Sequence, residues 1–152
     1  MRLLLRHLVL GVLAALTLAA CNGDAPPGRW QGVIFDGHVL IAVRLEVQSG
    51  NLIRTSAPNL RADFARMNPG ERIHAFKSVE AQLARTWETV QPGKVQMSGD
   101  HITRENGYAT LFEYDESADT MTFYFYGDGT LTHKVPMARV AEFGPLPIPK
   151  GL

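Results

Sequence analysis

The nine residues Val39 to Val47, VLIAVRLEV, alternate so strictly that Val39, Ile41, Val43, Leu45 and Val47 fall on one side of an extended chain. A period of two with a β-branched majority predicts a strand buried on at least one face. Turn dipeptides punctuate the chain on both sides of it. Asp36-Gly37 and Asn106-Gly107 are the pairs that favour a two-residue type I′ turn, since both positions need positive φ. Ser49-Gly50, Gly99-Asp100, Glu116 to Asp119 and Gly127-Asp128-Gly129 mark further turns between apolar runs.

A two-residue turn at Asp36-Gly37 sets Phe35 opposite His38, Gly32 opposite Ile41 and Trp30 opposite Val43, so apolar residues meet apolar residues. Two helices are expected to interrupt the strands. Pro58 to Met67 carries Leu60, Phe64 and Met67 at helical spacing. Asn68-Pro69-Gly70-Glu71 then has the residues of a helix start, with Asn as N-cap, Pro in the first turn and Glu three residues on. Ile73, Phe76, Val79, Leu83, Trp87 and Val90 continue it as an apolar stripe over 69–90. The fold class expected is α+β, mainly antiparallel β. It is a curved up-and-down sheet or small barrel of about eight strands, with a two-helix insertion between strands three and four.

Removing residues 1–20 from the 152-residue chain leaves 132, enough for one domain with a core. Arg2 and Arg6 leave with that segment, so 13 basic residues face 15 acidic ones and no basic stripe invites nucleic acid. The reason to remove it is its pattern: two arginines, then LVLGVLAALTLAA from Leu8 to Ala20, too short for a permanent span. Leu18-Ala19-Ala20-Cys21 ends the run on the only cysteine and resembles the lipobox of bacterial lipoproteins. That resemblance implies cleavage before Cys21, acyl chains on Cys21 and membrane anchoring through them. With Asn22 next, it implies an outer-membrane address with the domain in the periplasm. Residues 21–28 then form a lipidated tether, 29–143 a single β-rich domain, and 144–152 a Pro-rich extended tail.

Gly28-Arg29-Trp30 is similar to the G-x-W signature of lipocalins, and Arg139 on the last strand stands where an arginine covers that tryptophan in the family. The resemblance covers these few residues and implies a barrel. It departs in the helix, which that family carries near the C-terminus and this chain carries in the middle.

Carrying the pairing through the C-terminal strands puts His101 opposite Phe112, Phe112 opposite Phe123, and Phe123 opposite His133. One face then holds Tyr108, Phe112, Tyr114, Met121, Phe123, Phe125, Leu131 and Val135, and the other Ile102, Leu111, Tyr124 and Tyr126. A ring-lined interior with a few polar groups describes a small-ligand pocket, and Tyr108, Phe112, Phe123, Phe125 and His133 are its candidate residues. The alternative is an interior simply filled by these rings. His101 and His133 fall three strands apart on this pairing, about 14 Å, too far to share a metal ion. No G-x-S-x-G, reactive thiol or Gly-rich phosphate loop is present, so neither catalysis nor a cofactor is expected. The function expected is a non-catalytic envelope lipoprotein that binds an apolar small molecule or lipid. The alternative is a protein-interaction module, such as an accessory subunit of an envelope complex or an inhibitor of a cell-wall hydrolase, that uses the second apolar face.

Overall fold

A computed structural model describes residues 25–105 and 109–152. The first hairpin joins β1 (Gly28–Phe35) to β2 (Val39–Gln48), and β3 (Leu52–Ser56) returns along β2. A three-residue strand β4 (Asn59–Arg61), a 3-10 turn (Phe64–Arg66) and the helix α1 (Pro69–Thr89) follow. The meander then resumes with β5 (Gly93–Ser98), β6 (His101–Arg104), β7 (Thr110–Asp115), β8 (Thr120–Gly127) and β9 (Thr130–Val140). Apart from β4, each strand pairs antiparallel with the next along the chain, β3 with β5 across the helical excursion, and β9 returns to pair with β1. The eight strands other than β4 therefore close into an up-and-down barrel, the architecture that lipocalins have. Closure removes the exposed edges that an open meander would carry.

The expected two-helix insertion is corrected to one α-helix. Over Pro58 to Met67 the chain forms β4 and the 3-10 turn instead. The reason lies in β2, whose first half has no partner in β3, because β3 pairs only with Arg44–Gln48. β4 takes up that half, setting Arg61, Leu60 and Asn59 opposite Val39, Leu40 and Ile41. Flanking bonds from Ala42 N–H to Pro58 O and from Ala62 N–H to His38 O extend the pairing. A ten-residue helix is marginal alone, and it would leave these backbone groups without partners. The apolar residues still reach the same place: Leu60, Ala62, Phe64 and Met67 pack on the α1 side of the sheet.

α1 begins as expected. Asn68 accepts from Glu71 N–H at 3.0 Å and the Glu71 carboxylate accepts from Asn68 N–H at 2.7 Å, which completes a capping box. Its stripe, with Phe76, Val79 and Leu83 at its centre, packs on the outer face of β2, flanked by β3 and β4, in a cluster with Leu40 and Ala42 that Val33 and Phe35 border. The tail crosses the same region. Leu146 is buried in that cluster, its N–H bonds to Glu80, and Phe143 meets Trp87 edge-on at 4.6 Å.

The barrel interior is a second cluster, centred on Trp30, Ile41, Val43, Leu45, Phe112 and Met121, none of them accessible to solvent. Two expected registers differ by two residues. The first hairpin sets Phe35 opposite Leu40 and Trp30 opposite Leu45, since its turn is Gly37-His38 with Gly37 at φ 94°. Gly at the first central position is the type II′ arrangement rather than I′. Across β8 and β9, Phe123 meets Val135 and Phe125 meets His133. A shift of two keeps every side chain on its face. The β6–β7 pair differs by one residue: Ile102, not His101, sits opposite Phe112. A bulge makes Leu111 the extra residue there, so Ile102 and Leu111 join the interior cluster and leave the outer face. Leu131, expected inside, sits opposite Tyr126 and is 40% exposed, because a second bulge makes Thr132 the extra residue between it and His133.

Candidate functional site

The two ends of the barrel are built differently. At the end where β1 begins, Arg139 lies over the Trp30 ring with its guanidinium carbon 4.6 Å from the ring centroid. Arg139 also bonds Asp119 at 2.8 Å and the Pro27 carbonyl at 3.4 Å, and Tyr114 donates to Asp119 at 3.0 Å. The bond from Arg139 leads the causes that hold the Asp119 carboxyl below its ordinary range. Burial first, and the hydrogen bond to Asp119 next, push the Tyr114 phenol up. Gly28 makes this arrangement possible, since a Cβ there would stand 2.6 Å from Arg139 Nη1 and 3.0 Å from the Trp30 ring. Ala25, 5% exposed, packs into the same cluster. This end is closed.

At the other end stand the β1–β2 and β8–β9 turns and the ends of β3 and β6. Four of the five candidate pocket residues form a continuous row there. Phe112 meets Phe123 at 5.1 Å between centroids, Phe123 meets Phe125 at 6.3 Å, and Phe125 meets the His133 ring at 6.2 Å. β7, β8 and β9 supply them as neighbours in register, which is why residues distant in sequence line up. Phe112 is fully buried at the base of the row, whereas Phe123, Phe125 and His133 are half-buried. Ile34, Ala57 and Leu111 pack against the same cluster. Below Phe112 the interior is occupied by side chains. Among the described interior rings, those at the mouth are the ones partly accessible. Tyr108, the fifth candidate, lies outside the described residues, as do Cys21 and the Asn106-Gly107 turn.

His133 is held on both ring nitrogens. Nε2 lies 2.6 Å from Asp36 Oδ2, and Nδ1 lies 3.0 Å from Thr132 Oγ1. Asp36 also accepts from the N–H groups of His38 at 2.9 Å and Val39 at 2.7 Å. Burial alone would raise the Asp36 carboxyl; the bonds from His133, His38 and Val39 outweigh it and hold the group at about 2. Reading the sequence missed Asp36 as a partner of His133. Its place beside Gly37 is explained by turn chemistry, and only barrel closure brings it to β9.

The outer wall carries different chemistry. Tyr124 bonds Glu113, which is the first cause of its phenol being raised to about 12, and Lys134 lies 4.8 Å over its ring. Tyr126 donates to the Thr110 carbonyl at 2.9 Å. Nearby, an open groove of about 850 Å³ is lined by Asp100, Glu113, Asp115 and Glu116 together with Ser117, Thr120 and Thr122. His101 pairs with Asp100 at the β5–β6 turn, at the end of the barrel opposite to His133. Among the described residues no group of three His, Cys, Asp or Glu side chains could hold a metal ion, and no helix is long and apolar enough to cross a membrane. Compared with known protein families, curated proteins and solved structures, the chain gives no significant match.

Proposed function

We propose that this chain is a lipid-anchored protein of the bacterial cell envelope. On this reading acyl chains on Cys21 hold it at the outer membrane, and the barrel faces the periplasm and binds an apolar small molecule or lipid at its ring-lined mouth, without catalysis. The observation that carries the binding role is the ring row in which Phe123, Phe125 and His133 stand half-buried beyond the fully buried Phe112, at one end of a barrel filled below it. Because the interior below Phe112 is occupied, the group it accepts is compact and lies on Phe123 and Phe125 rather than threading the barrel. His133 supplies the polar edge of the site.

The anchor and the mouth fit one orientation. Only Asn22, Gly23 and Asp24 separate Cys21 from the buried Ala25 at the closed end. At about 3.6 Å per residue fully extended, that spacer keeps the closed end against the bilayer and turns the mouth away from it. Two acyl chains or more hold such a body stably, whereas one holds it only marginally.

Labelling cells with a fatty-acid probe tests the anchor: the wild type carries label and Cys21→Ser does not. Native mass spectrometry of the Cys21→Ser protein tests the mouth. A co-purifying apolar adduct that is lost in Phe123→Ala is the expected result; an adduct-free wild type, or one whose adduct survives Phe123→Ala, overturns the binding role. A second reading, a protein-interaction module, is favoured by the outer wall of β6 to β9, which α1 leaves bare and whose groove is lined by four carboxylates. A stoichiometric envelope protein retained by the wild type and released by a Glu113→Gln, Glu116→Gln double variant is the outcome that would select it.

A further inference from the structure

The tail after β9 is held as a ligand is held. Phe143, Leu146 and Pro149 are buried or half-buried, whereas Pro145, Pro147 and Ile148 are exposed. That period of three is the turn of a polyproline II helix, the extended form that Pro145, Pro147 and Pro149 favour. No residue of the tail joins the sheet; side chains of β1, β2 and α1 grip it instead. Arg29 donates to the Ala141 carbonyl at 3.2 Å and, one such turn on, Arg44 donates to the Gly144 carbonyl at 3.2 Å. Glu80 accepts from Leu146 N–H at 2.8 Å. The Phe143 ring meets Trp87, with the Arg44 and Arg29 guanidinium carbons 5.1 Å and 5.9 Å from its centroid. A turn from Pro149 then returns Leu152 to the cluster that buries Leu146. An aromatic anchor, carbonyls read by side-chain donors and an apolar pocket one turn on are the means by which folded domains take proline-rich segments.

Part of the groove floor is polar, unlike a core surface. Arg44 lies under the tail, and the register sets Gln31 beside it on the outer face of the sheet. Gln31 Oε1 and Arg44 Nε are buried without a hydrogen-bond partner among the described residues. Burial pulls the Arg44 guanidinium below its ordinary range, and the nearby Glu80 charge opposes that. Buried polar atoms left unpaired count against the docked state, and lifting the tail returns both to water. Lifting it breaks no strand ladder, because the hydrogen bonds that hold 141–146 all run to side chains. Exposed Ala141 and Glu142 form the bend between β9 and the gripped segment.

We propose that the groove between α1 and the outer face of the β1–β2 hairpin docks the tail of a second copy, so that two chains pair by exchanging residues 143–152. The occupant follows from fit. The contacts of Phe143 with Trp87, Gly144 with Arg44 and Leu146 with Glu80 are open unchanged to the same segment from another chain. Ala141 and Glu142 serve as the crossing. Groove and tail lie on one chain, so two copies satisfy each other about a two-fold axis and the exchange closes at a dimer. A segment tethered this closely to its own groove competes at an effective concentration on the order of millimolar. The exchanged form therefore belongs to concentrated protein, and dilution returns each tail to its own groove.

Cross-linking of the wild type, mixed from equal parts of isotopically light and heavy chains, reads the exchange directly. An amine-reactive linker can join Lys150 in the tail to Lys77, which pairs with Glu80 on α1. Light–heavy links between these two lysines are expected at about 1 mM protein and are expected to vanish at about 10 µM. Lys134, which lies over Tyr124 outside the groove, is the reference and should form no such link. Light–light and heavy–heavy links alone at the higher concentration, or light–heavy links as frequent to Lys134 as to Lys77, overturn the exchange. Should Lys77 and Lys150 give no link of any kind, sedimentation at the higher concentration decides. A dimeric wild type beside a monomeric Phe143→Ala, Leu146→Ala double variant is the expected result; a monomer for both, or a dimer for both, overturns it.

Discussion

Arg139 covers Trp30 at 4.6 Å only because residue 28 has no side chain. The cation sits on the ring face, its Nε is tied to Asp119, and a Cβ on Gly28 would fall 2.6 Å from its Nη1 and 3.0 Å from the ring. Gly28→Ala therefore forces either the guanidinium off the ring or the strand outward. Such overpacking costs on the order of 1–3 kcal/mol, read as a lower urea midpoint. Arg139→Ala loses the cation–π contact, about 1 kcal/mol at a partly exposed site, and the double variant should fall well short of the sum, because both changes disrupt one contact.

Acid is expected to loosen the opposite end. The Asp36 carboxyl titrates at about 2 when folded, against an ordinary 3.8. A depressed carboxyl favours the folded chain at pH above its ordinary value, and that contribution disappears as pH falls from 3.8 towards 2. Asp36 is 41% exposed, so solvent screening keeps the increment small. Asp36→Asn has no such proton to gain. In a stability series taken across this interval, the wild type is expected to lose more than the variant, and the two curves to run parallel near neutral pH.

How far these sites were legible in the sequence depends on which register errors a fold forgives. Trp30, Val43 and Leu45 are assigned to the interior whether the first turn is Asp36-Gly37 or Gly37-His38, because the two differ by a shift of two residues. His101 and Ile102 exchange faces on a shift of one, and the bulge at Leu111 that causes it has no glycine to announce it. Asn68 and Glu71 form the capping box that their spacing indicates, since a cap is a local matter. Leu60 and Phe64 suit a helix locally, but the unpaired half of β2 decides for a strand, and no window of ten residues contains that information. The rings of Phe112, Phe123 and Phe125 were within reach because consecutive hairpins set them side by side. Asp36 and His133 were not. They lie 97 residues apart, on the first turn and the last strand, and meet only through closure.

The α1 cap offers a test confined to one element. Asn68→Ala removes the side-chain acceptor for Glu71 N–H and leaves only the backbone half of the box, the N–H of residue 68 to the Glu71 carboxylate. Loss of an N-cap costs about 1 kcal/mol. Since α1 covers the outer face of β2, the variant should melt lower in a single transition by both far-ultraviolet circular dichroism and tryptophan fluorescence. A helix signal lost ahead of the barrel signal would mean that α1 is not coupled to the sheet it covers.

Phe112 and Phe125 separate stability from binding along one row of rings. Phe112 has no solvent exposure and touches Phe123 within the filled part of the barrel, so Phe112→Ala leaves a cavity and costs about 3–5 kcal/mol. Phe125 is half-buried at the mouth, where removing its ring gives up less buried area and opens onto solvent, so Phe125→Ala should cost clearly less. For an apolar occupant at the mouth the order reverses. Phe125→Ala weakens retention of the adduct in native mass spectrometry, while the conservative Phe112→Leu, which keeps the base filled, leaves it in place. Equal loss of the adduct in both variants would put the occupant deep inside the barrel and require the packed interior to open. Loss in neither would remove the rings from the site altogether.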